Sequence, residues 1–229
     1  MEFTLLGAAL TGAIGIWLGL RLPGVRSRAE AVDRPWDVLV GAAAIGVFSG
    51  RLVEMITAGV NPLTNPFDII LVRGGVDTAT ASVAALATLG WVFRHDLMTL
   101  DVVAPAALLG LAGWHAGCLW TGSCLGAATG GDWGFTLPGS QVGRHPTELY
   151  AAAALIVLAV VTARLRTPYV ASGVALAAAG AVRAATQPIR PSLTGGPMWA
   201  YLTAVGLGLA IALTASRWAR RTPPVNSRS

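Results

Sequence analysis

The chain has 229 residues, of which 54% are hydrophobic and only 12% carry a charge. Because soluble domains carry about a quarter charged residues, this composition and a mean hydropathy of +0.63 exclude a disordered tail, a coiled coil and a disulfide-built secreted module. The formal net charge is +5, and all 16 basic residues are arginine. Abundant arginine, alanine and glycine are typical of a GC-rich coding bias, and no nucleic-acid-binding motif is present. We therefore expect no nucleic-acid partner.

Seven apolar segments approach the roughly 20 residues that crossing a bilayer requires. In chain order they cover residues 3–20, 36–59, 76–93, 98–120, 149–163, 169–186 and 198–215. The first segment lacks a small-residue cleavage site followed by a soluble domain, so we expect a retained helix rather than a signal peptide. No linker or internal repeat divides the sequence. It therefore predicts an all-α, polytopic membrane protein with seven transmembrane helices in a single domain, residues 1–229.

The arginines indicate the orientation of these helices, since cytoplasmic loops carry the excess of positive charge. Eleven arginines fall in the loops and tail after segments one, three, five and seven, three fall in the other loops, and two fall within segments. This count predicts an N-terminus outside the cytoplasm, a C-terminus inside it, and a basic cytoplasmic tail at about 217–229. The longer connections, 60–75, 121–144 and 187–197, then lie on the outer face, where long loops are typical of a functional region.

Ionisable side chains within apolar segments are costly and usually mark a site. Arg51 and Glu54 lie three residues apart on one helical face, so they either form a self-neutralising pair or face a functional interior. Arg183 has no carboxylate in its own segment and needs a counter-ion. That counter-ion is either a lipid phosphate, which a guanidinium binds well, or a structural partner such as Glu54 or Asp101.

Two histidines, His115 and His145, fall on the predicted outer side, whereas His95 falls in a cytoplasmic turn. Histidine is well suited to proton transfer near neutral pH, although a lone histidine often has only a hydrogen-bonded packing role. Cys118 and Cys124 are six residues apart and, with His115, give a weak zinc signal because paired Cys-x-x-Cys units are absent. A disulfide and simple small-residue packing both remain open for the two cysteines.

Five blocks of sequence resemble the prolipoprotein diacylglyceryl transferase family in order and spacing. They are Gly-Cys-Leu-Trp-Thr-Gly-Ser-Cys-Leu-Gly at 117–126, Arg-His-Pro-Thr-Glu-Leu-Tyr at 144–150, Gly-Arg-Leu at 50–52, Arg-Gly-Gly-Val at 73–76, and the set Arg183, Gln187 and Arg190. The first block resembles the family signature Gly-Asn-Phe-x-Asn-Gly-Glu-x-x-Gly and also its cysteine-bearing version in divergent members, Gly-Cys-Phe followed by Gly-Cys-Cys-x-Gly. The other four resemble Arg-His-Pro-x-Gln-Leu-Tyr, Gly-Ala-Arg-Leu or Gly-Arg-Leu, His-Gly-Gly-Leu, and Arg-x-x-x-Glu-x-x-Arg. The resemblance covers nearly the whole chain and implies the same seven-helix fold.

The resemblance implies a multi-pass enzyme of the bacterial plasma (inner) membrane that moves a diacylglyceryl group from phosphatidylglycerol to a cysteine thiol of a lipoprotein precursor. Its partners are then a phosphatidylglycerol-like phospholipid and a lipoprotein precursor, with no cofactor and no metal ion. The chemistry requires a thiolate and fixed positive charge for the departing phosphate. Positions in the matching blocks are predicted to bind substrate: Arg51, Gly126, Arg144, His145, Tyr150, Arg183 and Gln187.

The main departure from the family is an exchange of two residues. The family's His before Gly-Gly is Arg73 here, and its Arg two residues before the Gly-Asn-Phe block is His115. Because arginine cannot act as a general base, we predict that His115 takes the thiol proton while Arg73 and Arg183 hold the phosphate. His115 and Arg73 are thus the candidate catalytic residues.

Other functions stay open at this point. A related transferase could act on another lipid or another acceptor, since the predicted phosphate-binding arginines match the family better than the acceptor side does. A non-catalytic lipid-binding or assembly protein would keep the fold without the chemistry. A transporter is least favoured, because inverted repeats and paired broken helices are not visible.

Overall fold

The structure is a computed structural model that describes residues 4–69, 75–131, 134–136, 139–190 and 197–221. Within these residues the secondary structure is helical, with short 3-10 turns at Pro66–Ile69 and Gln187–Ile189 and isolated β-bridges only where Arg144 meets Ala128 and Phe135. The α-helices in chain order are α1 (Thr4–Leu20), α2 (Arg26–Ala29), α3 (Pro35–Thr57), α4 (Thr78–Val92), α5 (Thr99–Ala116), α6 (Cys118–Thr121), α7 (Thr147–Ala163), α8 (Val170–Thr186) and α9 (Met198–Arg221). The predicted all-α class is confirmed.

In the part of the chain that the structure describes, three helical stretches are long and apolar enough to cross a membrane: Pro35–Thr57, Thr99–Trp120 and Met198–Arg220. Three shorter apolar helices are Leu6–Leu20, Thr78–Val92 and Thr147–Ala163. The sixth predicted segment forms α8, which has 17 residues and contains Arg183. The membrane-helix character expected from the composition is therefore confirmed, and each of the seven predicted segments contains a helix.

Carboxylates mark where two of the helices begin. Asp77 precedes α4 and accepts a hydrogen bond from the backbone N–H of Thr80 at 2.7 Å, as expected of an N-cap. The start of α8 is capped by a residue from another helix, because Asp101 of α5 accepts hydrogen bonds from the backbone N–H groups of Tyr169 and Ser172. Asp101 is thereby engaged at the first turn of α8.

This cap decides one of the open pairings of Arg183. Thirteen residues separate the start of α8 from Arg183, which corresponds to about 20 Å along a helix. An ion pair between Arg183 and Asp101, considered from the sequence, is therefore wrong: the carboxylate serves one end of α8 and the guanidinium lies near the other.

Helix α5 lies at the centre of the described structure. It packs against α1 on one side and against α7 and α8 on the other, while α8 also packs on α9 and α3 packs on α4. The lack of a side chain at Gly113 permits a close contact with α1, because a Cβ there would collide with the carbonyl oxygen of Thr11. Small and apolar residues of α5, α7 and α8 form the main buried cluster, which comprises Ala104, Leu108, Ala112, Ala151, Leu155, Ala159, Ala175, Ala178 and Val182.

Several helix termini meet at one end of this arrangement. The last turn of α5 contacts the first turn of α7 through His115 and Glu148. The last turns of α8 reach the first turn of α9, where Arg183 donates to the hydroxyl of Tyr201, and that hydroxyl also lies 3.3 Å from Thr78 Oγ1 at the start of α4. Polar side chains from five helices, α4, α5, α7, α8 and α9, therefore converge at this end, which positions the candidate site.

Candidate active site

Glu148 connects the polar groups at this end of the molecule. It lies in the first turn of α7, where a carboxylate is favoured by the helix dipole, and its backbone N–H donates to the carbonyl of Cys124 at 3.3 Å. Its Oε2 lies 2.6 Å from Nδ1 of His115, and its Oε1 lies 3.0 Å from Nη2 of Arg190. Glu148 therefore links His115 of α5 to Arg190 in the turn after α8. Its side chain is 22% exposed.

His115 is almost completely buried, with 3% of its surface exposed. One ring nitrogen, Nδ1, is engaged by Glu148, while the other, Nε2, is buried and has no hydrogen-bond partner among the described residues. A buried polar atom without a partner is uncommon and calls for an explanation. This ring therefore has one nitrogen held in place by Glu148 and one buried nitrogen without a described partner.

Two guanidinium groups lie beside this pair. Arg190 is 8% exposed, and its Nε is a buried donor without a partner in the described chain. Burial lowers the pKa of Arg190 below its usual value, and the positive charge of Arg183 lowers it further. Among the described residues, Arg183 donates to the hydroxyl of Tyr201 at 3.3 Å, and its guanidinium lies 5.4 Å from the centroid of that ring. Two cations thus lie close to one described carboxylate, Glu148, which of the two contacts only Arg190, and the surplus positive charge suits an anion.

The loop before α7 forms the structural support of the site. Gly126 is packed so closely that a Cβ there would collide with the carbonyl oxygen of Ile189 and with Oγ1 of Thr147. Arg144, a predicted substrate-binding residue, donates through Nη1 to the carbonyl of Gly126 at 3.1 Å, and the N–H of Gly126 donates to the carbonyl of His145 at 2.7 Å. The predicted positions Gly126, Arg144 and His145 are therefore neighbours within one tightly packed loop.

The two cysteines form a disulfide, Cys118–Cys124, which resolves the alternatives left open by the sequence. It closes the turn that follows His115 at the end of α5. Because the carbonyl of Cys124 accepts the N–H of Glu148, the disulfide links the segment that carries the histidine to the backbone that carries its partner. Its sulfurs are bonded to each other, so neither cysteine can supply a thiolate ligand to the zinc site that the sequence weakly indicated.

The pairing of Arg51 with Glu54 suggested by their spacing is wrong. Both residues are described, and no ion pair joins them; Arg51 is buried and donates to the carbonyl of Asp68 at 3.0 and 3.2 Å and to that of Gly75 at 2.9 Å. Glu54 is likewise no partner of Arg183, since no described carboxylate lies within 4 Å of that guanidinium. Arg51 thus holds two backbone segments together, and Arg183 keeps donors that no described carboxylate occupies.

The remaining predicted residues are placed as follows. The ring of His145 meets Tyr150 edge-on, with centroids 6.3 Å apart, and Tyr150 is 37% exposed. Gln187 is half-buried at the start of a 3-10 turn, and its carbonyl accepts the N–H of Arg190 at 3.2 Å. Arg73, the second predicted catalytic residue, lies outside the described residues.

Sequence reasoning did not select Glu148, Arg190 or Tyr201 for the site. Glu148 and Arg190 both stand in the blocks that resemble the family, and one signal was available. The family pattern has Gln where this chain has Glu148, so an added carboxylate next to a buried cation was the clue. Tyr201 stands in an ordinary apolar segment and gave no signal.

The arrangement provides the groups for acid–base chemistry on an anionic substrate in an apolar setting. A histidine with one fixed and one available nitrogen can accept a proton, and adjacent guanidinium groups can hold a phosphate. These features define a helical protein with membrane-length apolar helices and a buried site whose groups suit acid–base chemistry on an anion.

Comparison with known proteins gives the family. The sequence model of the prolipoprotein diacylglyceryl transferase family matches residues 5–220, and the chain belongs to this family. It is a transferase of the prolipoprotein diacylglyceryl transferase type, a class of bacterial membrane enzymes.

Curated relatives carry the name phosphatidylglycerol–prolipoprotein diacylglyceryl transferase. The protein of Cupriavidus metallidurans is 31% identical over 187 residues, covering 73% of this chain and 68% of the relative. The protein of Cupriavidus pinatubonensis is 30% identical over 189 residues, covering 75% and 68%. That of Cupriavidus necator is 29% identical over 184 residues, covering 71% and 66%.

Proposed function

We propose that this chain transfers a diacylglyceryl group from phosphatidylglycerol to the cysteine thiol of a lipoprotein precursor. The observation that carries the proposal is the buried His115, whose Nε2 has no described partner, next to Arg183 and Arg190. Membership in the family and the names of its relatives support the same reaction. The substrates are then an anionic phospholipid and a protein thiol.

The reaction can be written for these side chains. His115 Nε2 accepts the proton of the acceptor thiol, and the resulting thiolate attacks the glyceryl carbon that carries the phosphate ester. A carbon–sulfur bond forms as the carbon–oxygen bond to phosphate breaks, and glycerol phosphate leaves. Arg183 and Arg190 bind the phosphate and stabilise the charge that it gains. Arg73 is a further phosphate ligand predicted from the sequence alone.

The proposal is tested with the purified protein, phosphatidylglycerol vesicles and a peptide that contains one lipobox cysteine. We expect the peptide to gain the mass of a diacylglyceryl group. His115→Gln should lower the rate by about 100-fold or more, the range measured for general bases, while Arg73→Gln should chiefly weaken lipid binding. Absence of transfer by the wild-type protein, under conditions where a relative with the complete family motif is active, would contradict the proposal.

We further propose seven membrane spans in the plasma membrane, with the N-terminus outside and the C-terminus in the cytoplasm. The distribution of arginines, eleven against three, supports this orientation. It would place the loop of Gly126 and Arg144, and with it the site, at the outer side. We expect a reporter that works in the cytoplasm to be active when it is fused after Ser229. Activity of a reporter that works only outside the cytoplasm would show that the orientation is the reverse.

A second candidate function is transfer to or from a different substrate. It is favoured by the disulfide, because Cys118 takes the position of the family's first Asn in the signature and is now bonded to Cys124. The same assay, repeated with phosphatidylethanolamine or phosphatidylserine and with a hydroxyl in place of the thiol, distinguishes the two. A faster reaction with any of these substrates would favour the second candidate.

A further inference from the structure

The carboxylate of Glu148 contacts both the buried His115 and the buried Arg190. Nothing in the proposed reaction assigns it a part. A carboxylate 2.6 Å from Nδ1 of a histidine and 3.0 Å from Nη2 of an arginine has both oxygens engaged by donors.

We propose that Glu148 is the positioning residue of His115: it holds the Nδ1–H and so fixes the tautomer that presents a bare Nε2 to the acceptor thiol. The inference rests on the proposed function and deepens it. Glu148 contacts no substrate in this scheme and acts through the histidine alone.

The geometry supports each step of this inference. An ionised carboxylate only accepts hydrogen bonds, so the hydrogen between Oε2 and Nδ1 belongs to the ring. A neutral imidazole carries one N–H, and the other nitrogen is then an acceptor. That other nitrogen is Nε2, the buried atom without a described partner.

Arg190 keeps Glu148 in the charged form that this role requires. Its Nη2 lies 3.0 Å from Oε1 and 3.2 Å from Oε2, and a charge-assisted bond of this kind favours the ionised carboxylate. The backbone adds to it, since the N–H of Glu148 is held by the carbonyl of Cys124 within the disulfide loop. Arg190 and the backbone therefore fix the position of the Glu148 carboxylate, which in turn orients the ring of His115.

The charge of Glu148 has a second effect on the reaction. When His115 takes the thiol proton it becomes an imidazolium, and a carboxylate at hydrogen-bond distance stabilises that cation. The charged groups that face the ring are Glu148 from α7, Arg183 from α8 and Arg190 from the turn after α8; α1 and α6, which also lie near, contain no charged residue within their described lengths. Glu148 is therefore the negative charge that offsets the two guanidiniums.

The experiment compares Glu148→Gln, Glu148→Asp and the control Glu30→Gln, whose carboxylate lies in an exposed pair with Arg26. We expect Glu148→Gln to lower the rate of transfer at pH 7 by about 100-fold or more, with the KM for phosphatidylglycerol changed less than about threefold. Its rate should rise steeply between pH 7 and 9, because the acceptor thiol, with a pKa of about 8.5, then ionises without the histidine. Glu148→Asp should recover at least tenfold over Glu148→Gln, and Glu30→Gln should match the wild type.

A spectroscopic measurement tests the tautomer independently of transfer. The chain has three histidines, so ring ¹⁵N shifts of the labelled protein in detergent can be assigned by removing His95 and His145 in turn. We expect wild-type His115 at pH 8 to carry its hydrogen on Nδ1 and to lose that preference in Glu148→Gln.

A hydrogen on Nε2 in the wild type, or a Glu148→Gln variant that is folded and as active as the wild type at pH 7, would overturn the inference. If the wild type shows the Nδ1–H tautomer but transfers nothing, the proposed function fails while the role of Glu148 in orienting the ring stands. Should Glu148→Gln not fold, the wild-type ¹⁵N shifts and Glu148→Asp decide the question.

Discussion

Two pairs of neighbouring arginines lie at opposite ends of the helices. Their electrostatic surroundings are similar, but their guanidinium groups bind different partners. Where α7 begins, Arg190 lies near Arg183; where α7 ends, Arg28 lies near Arg166. In each pair, burial is the main cause that lowers the pKa of one arginine, Arg190 or Arg28, and its neighbour's charge adds to the effect. Crowded positive charge is therefore common to both ends.

The difference lies in what the guanidinium groups bind. Arg28 donates to the carbonyls of Gly24 and Ala163 at 2.8 and 3.2 Å, and Arg166 donates to that of Gly24 at 3.1 Å. Those donors close turns and helix ends, which is a structural role. Arg190 instead binds the Glu148 carboxylate and keeps a buried Nε without a described partner. Two adjacent arginines alone do not mark a site; unused buried donors beside a reactive side chain do.

The largest expected effect concerns stability. Arg190→Met should cost about 3–5 kcal/mol of unfolding free energy, because it leaves the partly buried Glu148 without its cation. Arg28→Met should cost about 1 kcal/mol, the usual net contribution of a hydrogen bond, since it removes bonds to backbone carbonyls and leaves no carboxylate without its cation. Reversible unfolding in detergent measures both, and equal losses would remove the distinction between the two ends.

The next effect concerns lipid binding. Arg183→Ala should weaken retention of phosphatidylglycerol by roughly 10- to 100-fold, because charge-assisted hydrogen bonds contribute about 1.5–3 kcal/mol. Arg166→Ala should leave retention unchanged, as its guanidinium donates to the carbonyl of Gly24. Mass spectrometry of lipid that copurifies with each variant measures this, and equal retention would indicate a structural role for Arg183.

The smallest effect concerns the cap of α8. Asp101→Asn should lower the free energy of unfolding by about 1 kcal/mol, because each carboxylate oxygen accepts one N–H, from Tyr169 or from Ser172, and an amide has only one oxygen that can accept. The transfer rate at a temperature where the variant is folded should not change. A slower reaction with unchanged stability would show that the two ends are coupled.

The sequence was sufficient for the seven long helices because each of them coincides with a run of apolar residues. It also singled out His115 and Arg183 as candidates, because they stand out as polar residues in apolar segments. Glu148 was not found because an acidic residue in the first turn of a helix is ordinary, and its partners His115 and Arg190 are 33 and 42 residues away.

Arg51 shows a second limit of the sequence. Its spacing from Glu54 allowed an ion pair along one helix as one of two alternatives, and the guanidinium binds the carbonyls of Asp68 and Gly75 instead. Buried carbonyl groups need donors as much as carboxylates do, and which of them lie within reach is set by tertiary structure. Sequence patterns therefore located the polar residues of this protein more reliably than their partners.

The disulfide has a consequence for any enzyme that modifies thiols. The chain contains two cysteines, and both are used in Cys118–Cys124. If they were reduced, Cys118 would offer a nucleophile one helical turn from His115, in competition with the incoming peptide. With the sulfurs joined, the protein carries no thiol that it could lipidate on itself, and a maleimide probe added to the reaction would report on the acceptor alone.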